Sequence, residues 1–308
     1  MTTTYIQRLY VVKITCPLRG RAFRAGIPAG HFSHYLQRMK ITWICALWGM
    51  QGTTLRANLT MAKEAGFDGV EMGVPADAAQ KRELKGLLQE LGLALIGQQW
   101  TTGADPAEHA RSFEEQYRRN AELGPLMINS HTGRDIFSLR ENLLVFRRAE
   151  EMEKSLGVPV VHELHRGRPT FSALSTMELL DALPNLRLTA DFSHWCCVHE
   201  TLLEDQPQRV QRAIAHARHI HARVGHAEGP QVTDPRIELW KPAVEAHLRW
   251  WQAIAAARAA AGYAVLTVCP EFGPPPYLVT LPDTGRPIVD LWAVNRYMMD
   301  FLRDRLLM

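Results

Sequence analysis

The sequence predicts a single (β/α)8 barrel, and three observations carry that prediction. From Ile41 onward, short apolar runs alternate with longer stretches of helical period. Eight such units occupy about 265 residues, the usual size of a closed eight-stranded parallel barrel. The first strand is followed by Trp48-Gly-Met-Gln-Gly-Thr, which has neither G-x-G-x-x-G nor G-x-x-x-x-G-K. An open doubly wound sheet, the competing architecture, usually carries such a glycine-rich turn there.

Taken in order, the strand candidates are 41–47, 69–72, 94–97, 126–130, 158–163, 186–190, 219–222 and 264–269. Helix candidates lie between them at 54–65, 77–91, 107–123, 139–156, 173–183, 206–217 and 244–261, and a last helix at 289–307 closes the chain. The third helix sets apolar Phe113 and Tyr117 against Glu114, Glu115, Arg118 and Arg119, the pattern of a helix packed on a sheet by one face. No segment is low in complexity, and no shift in composition marks a second domain within 39–308.

The formal net charge of the 308-residue chain is +3, but residues 1–38 contain Arg8, Lys13, Arg19, Arg21, Arg24 and Arg38 and no acid. The remainder holds 29 basic against 32 acidic residues, so the body is mildly acidic and no nucleic-acid partner is expected. The Arg-rich leader resembles an organelle transit peptide but lacks the apolar core of a secretory signal. Met39-Lys40 opens the first strong strand, so 1–38 is read as a loosely ordered extension or a segment before the true start. No apolar run reaches membrane length; the region near Trp251 to Val268 is broken by Arg258 and Ala259-Ala-Ala-Gly262. Five cysteines without framework spacing fit a reducing compartment, and a cytoplasmic location is expected. Cys196-Cys197 reads as two small apolar residues in a packed turn, since adjacent cysteines bridge only with strain.

The chemistry is organised around Leu188-Thr-Ala-Asp191-Phe-Ser-His194-Trp195. An apolar run ends in a carboxylate and, three residues on, an imidazole, both ligand types for a divalent metal. Alone, the stretch reads equally as a strand followed by a helix capped by Asp191, with His194 at the surface. Other strand ends decide between the two. Active sites of such barrels are built at the carboxyl ends of the strands, which here carry Glu71, Gln98 with Trp100, His131, Glu163 with His165, Asp191 with His194, His221 and Glu271. Glu71 reads as a substrate contact or as a support behind the ligands, and His131 also as a brace for its turn. His219 and His221 face the same way; His221, nearer the strand end, is the better ligand, and His219 is expected to be buried and hydrogen-bonded. Glu163 and Glu271 follow strongly apolar strands, where an unpaired carboxylate is costly, so they need a cation.

The order Glu163, Asp191-x-x-His194, His221, Glu271, with Ala65-Gly-Phe-Asp-Gly-Val-Glu-Met72 near the second strand, resembles the xylose-isomerase-like TIM-barrel superfamily over about residues 39–305. That superfamily includes sugar 3-epimerases, inosose dehydratases and isomerases, and the AP endonuclease family 2 barrels. The epimerase branch implies one divalent metal held by Glu163, Asp191, His221 and Glu271. It also implies substrate contact by His194 and proton transfer by Glu163 and Glu271. His131, Arg223, Glu71, Trp100, His165 and Arg166 complete the expected substrate contacts.

Three carboxylates and one imidazole make a mostly oxygen-donor site, for which Mn²⁺ is the first expectation, with Mg²⁺, Co²⁺, Fe²⁺ and Zn²⁺ as alternatives. Such an ion can polarise a hydroxy-carbonyl compound and stabilise an enediolate, while two glutamates move protons. Transfer between faces gives an epimerase, transfer on one face an isomerase, and loss of a β-hydroxyl a dehydratase or lyase. The expected partner is a small carbohydrate, inositol or sugar acid.

Two departures from the epimerase pattern concern the substrate end of the pocket. Ala227 stands six positions after His221, where the epimerases carry an arginine, and Arg223 is the expected substitute. Arg166 and Arg168 follow Glu163, where a guanidinium could grip a carboxylate or phosphate. Residues 228–235 are Pro/Gly-rich and read as a lid. An AP-endonuclease-type phosphodiesterase is the less favoured reading. Its Asp-x-His ligand pair is Asp234-Pro-Arg236 here, and the body lacks positive charge. A non-catalytic barrel is disfavoured by carboxylates at the ends of buried strands. Trp240, Trp250 and Trp251 read as core, or as an apolar face for a homo-oligomer.

Overall fold

The computed structural model describes residues 39–50 and 54–306. The expected extension at 1–38 lies outside the described residues, as does Leu307 at the end of the last expected helix.

Eight parallel strands pair in sequence order and close into a barrel, as expected: β1 (Lys40–Ala46), β2 (Gly69–Gly73), β3 (Ala94–Trp100), β4 (Met127–His131), β5 (Val160–Glu163), β6 (Leu188–Ala190), β7 (Ala217–His221) and β8 (Val265–Cys269). β1 closes on β8 through the register Ile41 to Leu266 and Trp43 to Val268. Around it run α1 (Leu55–Glu64), α2 (Ala78–Leu91), α3 (Pro106–Ala121), α4 (Leu139–Leu156), α5 (Ala173–Ala182), α6 (Phe192–His199), α7 (Pro207–His216), α8 (Lys241–Ala260) and α9 (Leu291–Arg303). Local chemistry sets the helix ends. Thr54, Asp77, Asp105, Ser138, Ser172 and Asp290 each accept from a backbone N–H of the first turn, and Ser138 with Glu141 forms a capping box.

The apolar core lies mainly between strands and helices, where Leu59, Leu84, Phe146, Leu188, Ile220, Trp251 and Met298 are buried. Trp251 is therefore core, and Trp240 and Trp250 pack half-buried against the same cluster. The barrel interior is different. Ile44, Ala46, Ile96 and Cys269 form a small apolar plug, and Glu71, Asn129, Glu163, Thr189, His219, His221 and Thr267 are buried polar residues beside it. Because side chains alternate along a strand, Asn129 and His131, Thr189 and Asp191, His219 and His221, and Cys269 and Glu271 fall on shared faces.

Three differences from expectation have physical causes. β3 continues three residues past 97, because Gln98, Gln99 and Trp100 all keep β4 partners. α6 was expected only under the alternative reading of its sequence. It forms because Asp191 accepts from Ser193 N while Phe192, Trp195 and Cys196 bury one face, so Cys196-Cys197 is helical rather than a turn. The loop read as a lid is pinned instead. Gln231 bonds Gly273 N and O, Val232 N reaches Val224 O, and both residues are buried. Among the described residues no helix is long and apolar enough to cross a membrane.

Candidate metal centre and active-site cavity

The ends of β5, β6, β7 and β8 bring Glu163, Asp191, His221 and Glu271 together, with one ligand atom from each within 4.8 Å of the others. Ligands around a single ion at bond lengths of roughly 2.0–2.3 Å are no farther apart than about 4.6 Å, close to this spread. All four residues are buried. His221 Nδ1 stands 2.7 Å from Glu271 Oε2 and 3.6 Å from Glu163 Oε2. Despite that closeness, neither His221 Nδ1 nor Glu271 Oε2 has an aligned hydrogen bond, and Glu163 Oε1 is also unpartnered. Buried polar atoms set this close without aligned partners are what a cation between them would satisfy. The residues fit a divalent cation.

Beneath this cluster a polar layer holds the ligands in place. Glu71 accepts from Nε2 of His219 at 3.0 Å and of His221 at 3.1 Å, while His219 Nδ1 lies 2.7 Å from Thr267 Oγ1. Asn129 Nδ2 donates to Glu71 Oε1 at 2.8 Å and Glu163 Oε2 at 2.7 Å, and Asn129 Oδ1 accepts from Thr189. His219 is thus buried and bonded, as expected. Glu71 takes the supporting place of its two expected ones, below the ligands and away from the cavity wall, because β2 delivers it one level deeper.

Arg223, two residues beyond His221, turns back over the cluster. It pairs with Asp191 Oδ2, donates from Nε to Ser193 Oγ at 3.1 Å, and lies 3.8 Å from Glu271 Oε2. Tyr277 covers it, with the ring centroid 4.6 Å from Arg223 Cζ. His131 Nε2 is 2.9 Å from Glu163 Oε2, and His131 and His165 also come within 4.8 Å of Glu163 on the cavity side. Imidazoles pack outward with tilted planes, His194 to His165 at 4.0 Å and His165 to His131 at 4.5 Å between centroids.

A cavity of about 250 Å³ opens above, lined by Trp48, Gln98, Trp100, His131, Glu163, His165, Arg168, Arg223, Glu271 and Tyr277. Of the expected substrate contacts, Trp100, His131, His165 and Arg223 line it. His194 does not: fully buried, it sits 2.8 Å from Arg223 and 3.6 Å from Asp191, and reaches a bound molecule only through Arg223 and His165. It is buried because α6 turns its first face inward. Arg166 stands exposed at the rim, its Cζ 5.1 Å over Tyr277. Sequence reasoning missed Asn129, Trp48 and Tyr277 as site residues and left Arg168 uncommitted. Alternation would have found Asn129, two residues before His131, whereas Trp48 stands past the end of β1 in a 3-10 turn at Leu47–Gly49, where no strand period reaches. Trp48 reaches the cavity because Gly273 is bare: a Cβ there would meet the indole at 2.1 Å.

The electrostatics also favour a cation. Burial alone would raise Glu163 and Glu71, but neighbouring imidazoles outweigh it and hold both well below the usual carboxylate range. Burial and the Glu271 and Glu163 charges push Asp191 up to about 6 even with Arg223 alongside. Burial works against charge on His221, yet Glu271, Glu71 and Glu163 together raise it well above an ordinary histidine. Burial keeps His165 and His194 neutral, His165 down to about 3.

Asp234, the candidate for a further ligand, is occupied by Arg236, whose Nε and Nη2 each lie 2.7 Å from a different carboxylate oxygen.

Fold and site together define a (β/α)8 barrel with a buried carboxylate–imidazole cluster at the carboxyl ends of its strands. The chain belongs to the xylose isomerase-like TIM barrel family, whose model matches residues 59–276. No curated protein matches the chain at the level of sequence. Among solved structures it is similar to 3-keto-D-glucoside 4-epimerase YcjR from E. coli (17% identity, TM-score 0.55, covering 86% of this chain and 99% of that one). It is also similar to a D-tagatose 3-epimerase-like protein (14%, TM-score 0.57, 85% and 97%). A third is described as the probable 3-DHS dehydratase AsbF from Bacillus anthracis (15%, TM-score 0.56, 86% and 99%). At these identities the likeness is one of fold.

Proposed function

We propose that this protein is a divalent-metal-dependent isomerase or epimerase of a small carbohydrate or sugar acid. The observation that carries the reading is the clustering of unpartnered atoms of Glu163, His221 and Glu271, beside Asp191, on the floor of the cavity. Glu163, Asp191, His221 and Glu271 would hold the ion, with Mn²⁺ the first expectation. When bound, it would supply Lewis-acid polarisation of a substrate carbonyl.

The chain's own residues supply the rest. Glu163 and Glu271 both line the cavity and come from strands three positions apart around the barrel, so they can address different sides of one bound molecule. Glu163 is held ionised and can accept a proton from carbon; Glu271 can return one. Asn129 fixes the Glu163 carboxylate by a hydrogen bond, with His131 2.9 Å away, and Arg223 with Tyr277 roofs the site against water. The same apparatus could run a dehydration. The observation favouring that second reading is Tyr277 Oη, 3.4 Å from His165 Nε2, a donor–acceptor pair beside the cavity that could serve a leaving hydroxyl.

The test is solvent exchange. Metal-loaded protein in D₂O, offered a panel of ketoses, inososes and sugar acids, should place deuterium on the carbon next to the carbonyl. The rate should fall by about 10²–10⁴ in Glu163→Gln and Glu271→Gln. Loss of water without exchange into recovered substrate would favour the dehydratase. Failure to take up an ion after incubation with Mn²⁺, together with no exchange, would overturn the reading.

A further inference from the structure

Three guanidiniums stand around the cavity, and one of them is paired. Arg223 is neutralised by Asp191. Arg168 lines the wall and has no carboxylate within ion-pair distance among the described residues. Its Nη1 donates to Thr101 O at 3.2 Å and Gly133 O at 2.8 Å, which fixes the group beside the ends of β3 and β4 without cancelling its charge. Burial and the nearby Arg134 cation push Arg168 down to about 10. Arg166, across Gly167, likewise has no ion pair among the described residues and lies over Tyr277, the ring that also covers Arg223.

An exposed arginine without a partner needs no explanation, because water screens it. A half-buried one on a cavity wall is different: the Asp135 and Glu163 charges act on Arg168 only from beyond ion-pair distance among the described residues, and its two carbonyl acceptors do not cancel the charge, so a bound anion would complete its partners. The wall is also rigid, since Arg168 is tied to two backbone carbonyls. The planar fork suits two oxygens of a carboxylate or phosphate, and its Nη2 and Nε remain for them.

We propose that the substrate of this cavity carries an anionic group, a carboxylate or a phosphate, gripped by Arg168 with Arg166 closing over it from the rim. The ligand is then a sugar acid or sugar phosphate, not a neutral sugar or an inositol. A cavity of about 250 Å³ suits a molecule of that size. The proposal rests on the reading of the cavity as a sugar-converting site.

Binding of D-gluconate, D-fructose 6-phosphate and D-fructose to the full-length, metal-loaded protein is measured by titration calorimetry. The wild type is compared with Arg168→Gln and Arg166→Gln, and metal content and thermal unfolding are followed for each. At least one anionic probe is expected to bind about tenfold or more tightly than D-fructose. Each variant should lose about tenfold of that affinity with metal content and D-fructose binding unchanged. The preferred anion identifies the carboxylate or the phosphate. Should Arg168→Gln unfold for want of its bonds to Thr101 and Gly133, Arg166→Gln, which breaks no hydrogen bond shown here, carries the test. D-fructose binding as tightly as both anions, with no response to Arg166→Gln, would overturn the anion assignment and leave the sugar reading standing. Binding of none of the three to protein that holds its ion would overturn both.

Discussion

Glu71 and His221 form a hydrogen-bonded pair at the bottom of the cluster, with His221 Nε2 3.1 Å from both Glu71 oxygens. The pair sets the tautomer: with the proton on Nε2, the Nδ1 lone pair faces Glu271, Glu163 and Asp191. Glu71→Gln leaves all four ligands in place but sets an amide beside two imidazole donors. Mn²⁺ affinity should fall by about 10–100-fold, the usual cost of losing such a support. Titration followed by the free-Mn²⁺ paramagnetic signal measures it, and an unchanged dissociation constant would show that His221 does not depend on Glu71.

Metal uptake should release protons and tighten with rising pH. The metal needs His221 without its Nδ1 proton and Asp191 ionised, whereas both hold protons more firmly than usual, Asp191 up to about 6 and His221 above an ordinary histidine. Calorimetry of Mn²⁺ binding in buffers of different ionisation enthalpy should therefore report net proton release, with affinity falling as pH drops through the raised His221 range and more steeply once it passes below about pH 6. A pH-independent affinity would contradict the assignment of these two residues as ligands.

Stability should decline on mild acidification. Burial lowers His162 to about 3 and His247 to about 4, against about 6.5 for an unperturbed histidine. Between those values the unfolded chain binds protons that the folded chain refuses, so stability rises with pH and is lost as pH falls below about 6.5. Each histidine contributes a slope of up to about 1.4 kcal/mol per pH unit. Asp191, raised in the fold, opposes this with the reverse sign below about pH 6. Melting temperatures should drop between about pH 6.5 and 5, and His247→Gln should flatten the slope.

Gly273→Ala should damage substrate binding without touching the metal. Its Cβ would meet the Trp48 indole at 2.1 Å, and the ring packs edge-on to Tyr277 at 5.6 Å, so both cavity walls must shift. A rise in KM of about tenfold is expected, because misplacing positioning groups costs affinity before chemistry. Metal content should stay at the wild-type value.

The barrel was legible because its strands and helices carry different hydrophobic periods, and those periods need no knowledge of partners. The metal-type residues were legible for a related reason. A carboxylate ending a buried strand is conspicuous, as at Glu163 and Glu271, since burial demands compensation. α6 was ambiguous because Phe192–His199 is eight residues long, too short for a period to declare itself against an apolar loop. The pinned 228–235 loop was read as a lid from composition, yet Gln231 finds its partners on Gly273, 42 residues away, a pairing no local pattern encodes.

By itself, then, the sequence determined the eightfold alternation and the closed barrel, which follow from local periodicity, and marked Glu163 and Glu271 through the cost of burying charge; Asp191 and His221 joined them as expected ligands through the family resemblance. Tertiary structure alone decided the division of labour among them. It put Glu71 beneath His221 and not in the cavity, hid His194 behind Arg223, and left Arg168 on the wall with no carboxylate at ion-pair distance among the described residues. Which charges meet and which remain unmatched depends on strand stagger and on loops converging from distant parts of the chain, and those distances exist only once the barrel has closed.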